Sequence, residues 1–320
     1  MIASRHFRFG FFALLFFAIA LPLAAQDQKK KSKPKPPSAP FSWVSPLSEG
    51  RAKNLKLPEG VRHETFKSES MGIEVGYYIY LPPQYEAEAD RKFPVIFHLH
   101  GGRPGSESKS VSLVKFVDAA IRAEQLLPAI YVFPNGGPLS WYNHDVAENG
   151  QGEDVFVNEL VPHIDKSYRV SFRGIQGFSQ GGRGTTRIMF KHPELWDSAA
   201  PGGSGYEPEE RIKLNEGRES ENLRILPIGY NAWDLAEAYA KSEPKRELPI
   251  MLWVGTKGFN YEYNLKFSKF LDGLGLPHEK LIVPEVPHSA SGIYAKQGIK
   301  LMKFHERNFA KAAAAAAGGQ

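Results

Sequence analysis

The sequence predicts an α/β fold, with a mostly parallel central sheet flanked by helices in a single domain. Three observations predict it. Short apolar runs alternate with segments of helical spacing from residue 94 onward. The first of those runs, PVIFHLH at 94–100, is short and apolar, as a strand covered on both faces should be. No internal repeat and no second linker interrupts residues 60–310. Strands alternating with helices imply parallel pairing through right-handed crossovers.

Each element has its own reason. Residues 62–69 and 73–81 read as a leading hairpin with Met71 and Gly72 at the turn. Its second arm, IEVGYYIYL, is rich in β-branched and aromatic residues. After the strand at 94–100, Leu113, Val117, Ile121 and Leu127 fall on one stripe and predict a helix over 111–127. AIYVF at 129–133 is the next strand. A helix over 153–168 opens with Glu153 and Asp154, carboxylates favoured at the positive end of the helix dipole, and buries Val157, Leu160, Val161 and Ile164. A strand over 170–178 leads into Ser179, with a helix over 182–190 behind it. Strands at 250–254 and 280–283 follow, with helices over 233–241, 263–274 and 295–309 around them.

Composition excludes several classes of function. Hydrophobic residues make up 42% of the 320 and charged residues 23%, which excludes wholesale disorder and a fibrous protein. Cysteine is absent, which excludes a thiol nucleophile, a disulfide framework, an iron–sulfur cluster and Cys-ligated zinc. The net charge is +5, but residues 1–40 hold seven basic residues against Asp27, a net of +6, and leave −1 for the rest. Composition therefore supplies no basic face for a nucleic acid. No H-E-x-x-H or similar spacing suggests a metal.

The termini read as export and spacer segments. Arg5 and Arg8 precede the apolar run FGFFALLFFAIALPL, which ends in Leu23-Ala24-Ala25. That is the layout of a secretory signal peptide over residues 1–25, and the run is short of the roughly 20 residues a transmembrane helix needs. No cysteine follows for lipid attachment. Secreted or periplasmic, bacterial-type export is expected, with no stable membrane insertion after cleavage. Residues 26–46 are rich in Lys and Pro and read as a disordered linker. The folded domain is expected over 47–311, with a disordered Ala/Gly tail at 312–320. Oligomeric state is not legible.

In parallel sheets the chemistry sits at the carboxyl ends of the strands. Gly177-Phe178-Ser179-Gln180-Gly181-Gly182 has the G-x-S-x-G form with a strand before it and a helix after it. A serine on such a tight, strained turn is a nucleophile candidate, and the glycines are needed because neighbouring side chains would collide. His98-Leu99-His100-Gly101-Gly102 closes an earlier strand. A glycine turn there brings backbone N–H groups to a developing oxyanion. The expected donors are Gly102, or its neighbour Arg103, and Gln180. His100 reads as a structural group that holds this loop. A serine nucleophile needs an imidazole base. His288, in Val286-Pro287-His288-Ser289, follows a late strand 109 residues beyond Ser179. Ser140-Trp141-Tyr142-Asn143-His144-Asp145 follows another strand end, so Trp141 and Tyr142 are candidates to stack on substrate; the alternative is a loop packed by its own aromatics. Residues 201–206 read as a rim loop and 206–230 as an insertion or flap.

HGG at the end of an early strand, GFSQGG in the middle and PHS near the end together resemble the putative-esterase (esterase D-like) family. That family is a branch of the α/β-hydrolases related to feruloyl and acetyl-xylan esterases of carbohydrate esterase family one. The likeness spans about residues 60–310 and includes Tyr80-Leu81-Pro82-Pro83-Gln84-Tyr85 and Phe93-Pro94-Val95. It implies an α/β-hydrolase fold and carboxylic-ester hydrolysis without metal or organic cofactor. The family places its triad acid in a Gly-x-x-Asp turn after the penultimate strand, and here that turn reads Gly255-Thr256-Lys257-Gly258. Glu262 is the candidate replacement acid, with Asp234 and Glu285 as other candidates; Glu262 also reads as a plain helix N-terminal carboxylate. Three functions follow as expectations. The first is a serine esterase acting through an acyl-enzyme on polysaccharide or other extracellular esters. The second is an acyltransferase on the same scaffold. The third is a carbohydrate-binding homologue weakened at Gly258.

Overall fold

The computed structural model describes residues 41–45, 55–143, 149–216, 229–243 and 247–318. The signal segment expected at 1–25, most of the expected linker, His144, Asp145 and residues 217–228 of the expected flap lie outside the described residues.

β1 (Val61–Lys67) and β2 (Glu74–Tyr80) form the leading hairpin, with Val61 opposite Tyr80 and Lys67 opposite Glu74. β2 also pairs antiparallel with β4 (Ile130–Pro134). From β4 the sheet runs parallel through β3 (Phe93–Leu99), β5 (Val170–Phe178), β6 (Ser198–Gly202), β7 (Met251–Lys257) and β8 (Glu279–Pro287). The order is β1-β2-β4-β3-β5-β6-β7-β8, the mostly parallel, helix-flanked sheet that the sequence predicts.

The helices are α1 (Pro83–Ala87), α2 (Val114–Arg122), α3 (Gly152–Asp154), α4 (Val161–Ser167), α5 (Gln180–Lys191), α6 (Tyr206–Lys213), α7 (Ala232–Ala240), α8 (Tyr261–Gly273) and α9 (Ala290–Gly318). A π-helical stretch, Val155–Leu160, joins α3 to α4. α9 bends at Gln297, whose φ is −142°. Alternation along the strands sorts side chains to two faces. Phe93, Val95, Phe97 and Leu99 of β3 pack in one cluster with residues of α4, α5, α7 and α8. Ile96 of the same strand packs on the other face, with residues of α2 and α9.

Four differences from the sequence reading have physical reasons. β6 was not predicted, because SAAPG carries no β-branched or aromatic residue. Its small residues are needed there: a Cβ on Gly202 would lie 2.0 Å from the Trp253 ring. The linker ends earlier than residue 46. Trp43 is only 5% exposed, its indole N–H donates to Asn149 O at 3.1 Å, and its carbonyl accepts from Gly76 N–H at 2.8 Å. The alanine tail is helical to Gly318 rather than disordered. Alanine is the best helix former, and extending an existing helix avoids the cost of nucleation. Finally, residues 206–213 are a packed helix and not a flap, since Tyr206 stacks on Phe267 with centroids 3.9 Å apart.

The sheet's α9 side encloses two histidines. His98 of β3 has no hydrogen-bond partner at either ring nitrogen among the described residues, and His305 Nδ1 lies 2.7 Å from Ser198 Oγ. Burial pushes both imidazoles down to about 3. The unfolded chain titrates them near 6.5, so between these values it binds more protons than the folded chain, and stability falls as pH falls. Each histidine then costs up to about 1.4 kcal/mol per pH unit below ~6. His98→Leu is expected to flatten this dependence, measured as urea unfolding free energy at pH 7 and pH 4.5. A variant as acid-sensitive as the parent would contradict the account.

Candidate active site

Ser179 stands between β5 and α5 with φ 62° and ψ −114°, a backbone region that L-residues rarely occupy. The turn closes only because side chains are missing around it. A Cβ on Gly177 would lie 2.5 Å from Gly181 O, and one on Gly181 would lie 2.0 Å from Leu99 O. Ser179 N–H donates to Gly202 O at 2.8 Å, and Ser179 O accepts Arg183 N–H at 3.1 Å, closing the first turn of α5. The N–H groups of Gln180 and Gly181 open that helix without intrahelical acceptors, at its positive end.

The glycine loop after β3 lies on this turn. A Cβ on Gly101 would be 3.2 Å from Ser179 Cβ. His100 is buried and anchors the loop, as its sequence position suggests. Its Nε2 accepts N–H from Ser106 at 3.3 Å and from Gly136 at 3.1 Å, and its Nδ1 faces Gly101 O at 3.2 Å. Burial holds it neutral, with a pKa of about 3. Ser140 makes a second tie that sequence reasoning missed. Its hydroxyl donates to Gly102 O at 2.8 Å, and its carbonyl accepts from Gln180 Nε2 at 3.3 Å. In a trans peptide the C=O and N–H point oppositely. Fixing Gly102 O on Ser140 therefore aims the Arg103 N–H away from Ser140. Gly102, whose φ is 73°, and Gln180 are thus linked through one residue.

His288 follows β8. Its half-buried ring contacts Phe178, with centroids 4.7 Å apart, and Phe259, 4.2 Å away. The side chain that meets it is Asn260, whose Oδ1 is 3.2 Å from His288 Nδ1. Asn260 Nδ2 donates to Gly203 O and to Ser204 O, so both of its hydrogens are committed and Oδ1 is left to face the imidazole. Nδ1 must then carry the proton, and Nε2 is bare. Burial pushes the His288 imidazole below its ordinary value.

Glu262 does not fill the acid's place. It is exposed in the first turn of α8, two residues beyond the group that contacts His288. Asp234 bonds Asn231 Nδ2 at 2.7 Å and Lys213, and Glu285 pairs with Lys257 at 3.5 Å on the surface. A Cβ on Gly258 would sit 3.3 Å from Asn260 Oδ1. The space a longer residue would reach at 258 is held by the Asn260 amide. Asparagine in the loop after β7 was the available signal; a search confined to carboxylates passes over it.

Trp141 and Tyr142 are not substrate platforms. Both are fully buried. The Trp141 indole donates to His100 O at 3.1 Å. Tyr142 donates to Glu209 and accepts from Arg183 Nη2 at 2.7 Å, while the Arg187 guanidinium lies 3.6 Å over its ring. Burial pushes the Glu209 carboxyl up, but the Arg183 and Arg187 guanidiniums outweigh it and hold the group below the usual range. Arg187 also donates to Trp141 O at 2.6 Å. The loop is locked to the back of α5 by buried charges, which no local pattern reveals.

The fold is that of the α/β-hydrolase class, with a serine held on the tight turn between β5 and α5. The chain matches the family described as "Putative esterase" over residues 68–271, more than half its length, and it belongs to that family. The resemblance read from HGG, GFSQGG and PHS is borne out. A curated relative, an esterase of Mycobacterium tuberculosis (Rv1288), is 24% identical over 249 residues, which is 68% of this chain and 54% of that protein. The chain thus spans about half the length of the curated relatives it matches. A ferulic acid esterase structure superposes with a TM-score of 0.63 at 20% identity, covering 78% of this chain and 98% of that one. A fluorophosphonate-binding serine hydrolase of Staphylococcus aureus gives 0.61 at 18% identity, covering 76% and 97%.

Tyr142→Phe is expected to destabilise the fold by about 1–3 kcal/mol, because it leaves Glu209 and Arg183 each short of a buried partner. KM should not change. Chemical denaturation and steady-state kinetics check the two halves; a raised KM at unchanged stability would restore Tyr142 as a substrate contact.

Proposed function

We propose that this chain is a serine carboxylic-ester hydrolase acting through an acyl-enzyme. Ser179 Oγ attacks the ester carbonyl as His288 Nε2 takes its proton. Backbone N–H groups at Gln180 and at Gly102 or Arg103 stabilise the oxyanion. His288 then returns the proton to the departing alcohol, and water, activated by the same imidazole, releases the acid. The observation that carries this reading is the bond between His288 Nδ1 and Asn260 Oδ1, with the Asn260 amide nitrogen committed to two carbonyls. It leaves the basic nitrogen bare without any carboxylate at residue 258. A neutral amide orients the ring as a carboxylate would, yet supplies no counter-charge for the imidazolium. With His288 so oriented, the Gly258 departure no longer motivates a non-catalytic protein, and no observation favours an acyl acceptor other than water. Extracellular or polysaccharide esters are the proposed substrates, and an exported location is proposed with them. The signal-like N-terminus supports the exported location, and the fold shared with a ferulic acid esterase supports the substrate class.

Labelling with a fluorophosphonate probe is expected to be stoichiometric at Ser179. It should vanish in Ser179→Ala, together with at least about 10⁴-fold of the hydrolysis rate. Labelling that survives the substitution would assign the nucleophile elsewhere.

The pH profile tests Asn260. The base works deprotonated, and burial lowers the His288 pKa, so kcat/KM should rise with pH and reach half its plateau below pH 6.5, the ordinary value. Asn260→Asp places an anion beside Nδ1 and should move that limb to higher pH. Asn260→Ala should lower kcat by about 10- to 100-fold without raising the limb. An unmoved limb in Asn260→Asp would separate Asn260 from the working imidazole.

A further inference from the structure

Phe259 is 83% exposed, the most exposed of the large apolar side chains among the described residues. It stands against the imidazole of His288, with ring centroids 4.2 Å apart and planes inclined by 45°. Its position is fixed from both sides. Gly258 N–H donates to Gly255 O at 3.0 Å and Tyr261 N–H to Gly258 O at 3.0 Å. The next residue, Asn260, is buried and tied to Gly203, Ser204 and His288. The ring thus stands on a hydrogen-bonded turn beside the imidazole, with most of its surface left in water. The other aromatic ring near the imidazole, Phe178 at a centroid distance of 4.7 Å, is buried. Trp141 and Tyr142 are buried and have no free face to offer a ligand.

We propose that Phe259 is a specificity-determining residue on the leaving-group side of the site, selecting esters whose alcohol presents an apolar face to its ring. The inference rests on the proposed esterase reading and names the substrate class for that same site. When the tetrahedral intermediate collapses, the bond between the carbonyl carbon and the alcohol oxygen breaks. The proton on His288 Nε2 passes to that oxygen, and a neutral alcohol leaves. At that moment the alcohol oxygen must lie within hydrogen-bond reach of Nε2, roughly 2.6–3.2 Å. The group on that oxygen is thereby carried alongside the imidazole, where the exposed neighbour is Phe259. Covering the ring with an apolar group removes both surfaces from water. The acyl group stays on Ser179 and does not share this contact, and in deacylation water replaces the alcohol. Phe259 therefore acts on acylation and reads the alcohol, not the acid.

The test uses three alkyl esters with leaving groups of similar basicity: ethyl acetate, cyclohexylmethyl acetate and ethyl cyclohexylacetate. Wild type, Phe259→Ala, Phe259→Trp and Ser179→Ala are compared by kcat/KM. Phe259→Ala should lose about tenfold on cyclohexylmethyl acetate and less than about threefold on the other two, with Phe259→Trp restoring most of the loss. An equal loss on all three esters would overturn the proposal, because the ring would then only buttress His288. A loss confined to the bulky acyl ester, or no loss at all, would overturn it too. The esterase reading is judged separately, by the Ser179→Ala difference on ethyl acetate. If wild type hydrolyses none of the esters faster than that variant, that reading falls and takes the Phe259 proposal with it.

Discussion

A serine held at φ 62° survives only where its neighbours have no side chains to collide with. Gly177 faces the Gly181 carbonyl, and Gly181 presses on the carbonyls of Leu99 and His100. That backbone-to-backbone contact joins the end of β3 to the end of β5, and the rest of the site depends on it. It brings the HGG loop onto the nucleophile turn. It lets Ser140 bridge Gly102 and Gln180. It also sets the first N–H groups of α5 at the carboxyl end of the central strands. A side chain at 181 would push the end of β3 away from the serine turn, and one at 177 would push α5 away from β5.

Around this contact the protein replaces charge with committed hydrogen bonds. A carboxylate beside His288 would orient the ring and stabilise its protonated form. Asn260 does the first task alone, and it can do so only because the carbonyls of Gly203 and Ser204 occupy its two donors. Asn264 braces the arrangement, donating to Asn260 O at 2.8 Å and to Ser204 O at 2.9 Å. Charge lies instead behind α5, where Arg183, Arg187, Glu153 and Glu209 are buried with Tyr142. Those groups hold the rim loop in place; they do not face His288. Buried pairs of this kind add little net stability, but breaking one leaves a charge uncompensated, so the rim is fixed stiffly.

Much of the fold was legible in the sequence, and so was the placement of Ser179 and His288 at strand ends. The hairpin, the strand ends and the helices at 180–191, 232–240 and 261–273 follow from periodicity and turn residues, which are local. Ser179 and His288 were legible because glycines and strand ends mark them. Strand β6 was not, since its small residues are dictated by Trp253 on the neighbouring strand. For Trp141 and Tyr142 the sequence leaves a substrate platform and a loop packed by its own aromatics both open, because nothing local tells an exposed aromatic from one that buries against an arginine 45 residues on.

By itself the sequence determined an α/β sheet with a serine elbow, a glycine loop and a late histidine at successive strand ends, because tight turns and buried strands each demand particular residues nearby. Tertiary structure alone decided that Asn260 and not Glu262 meets the imidazole, that Ser140 links Gly102 to Gln180, and that Phe259 stands in water beside the imidazole. Those outcomes depend on which groups face one another across β5, β6, β7 and β8, and distance through space is not encoded in spacing along the chain.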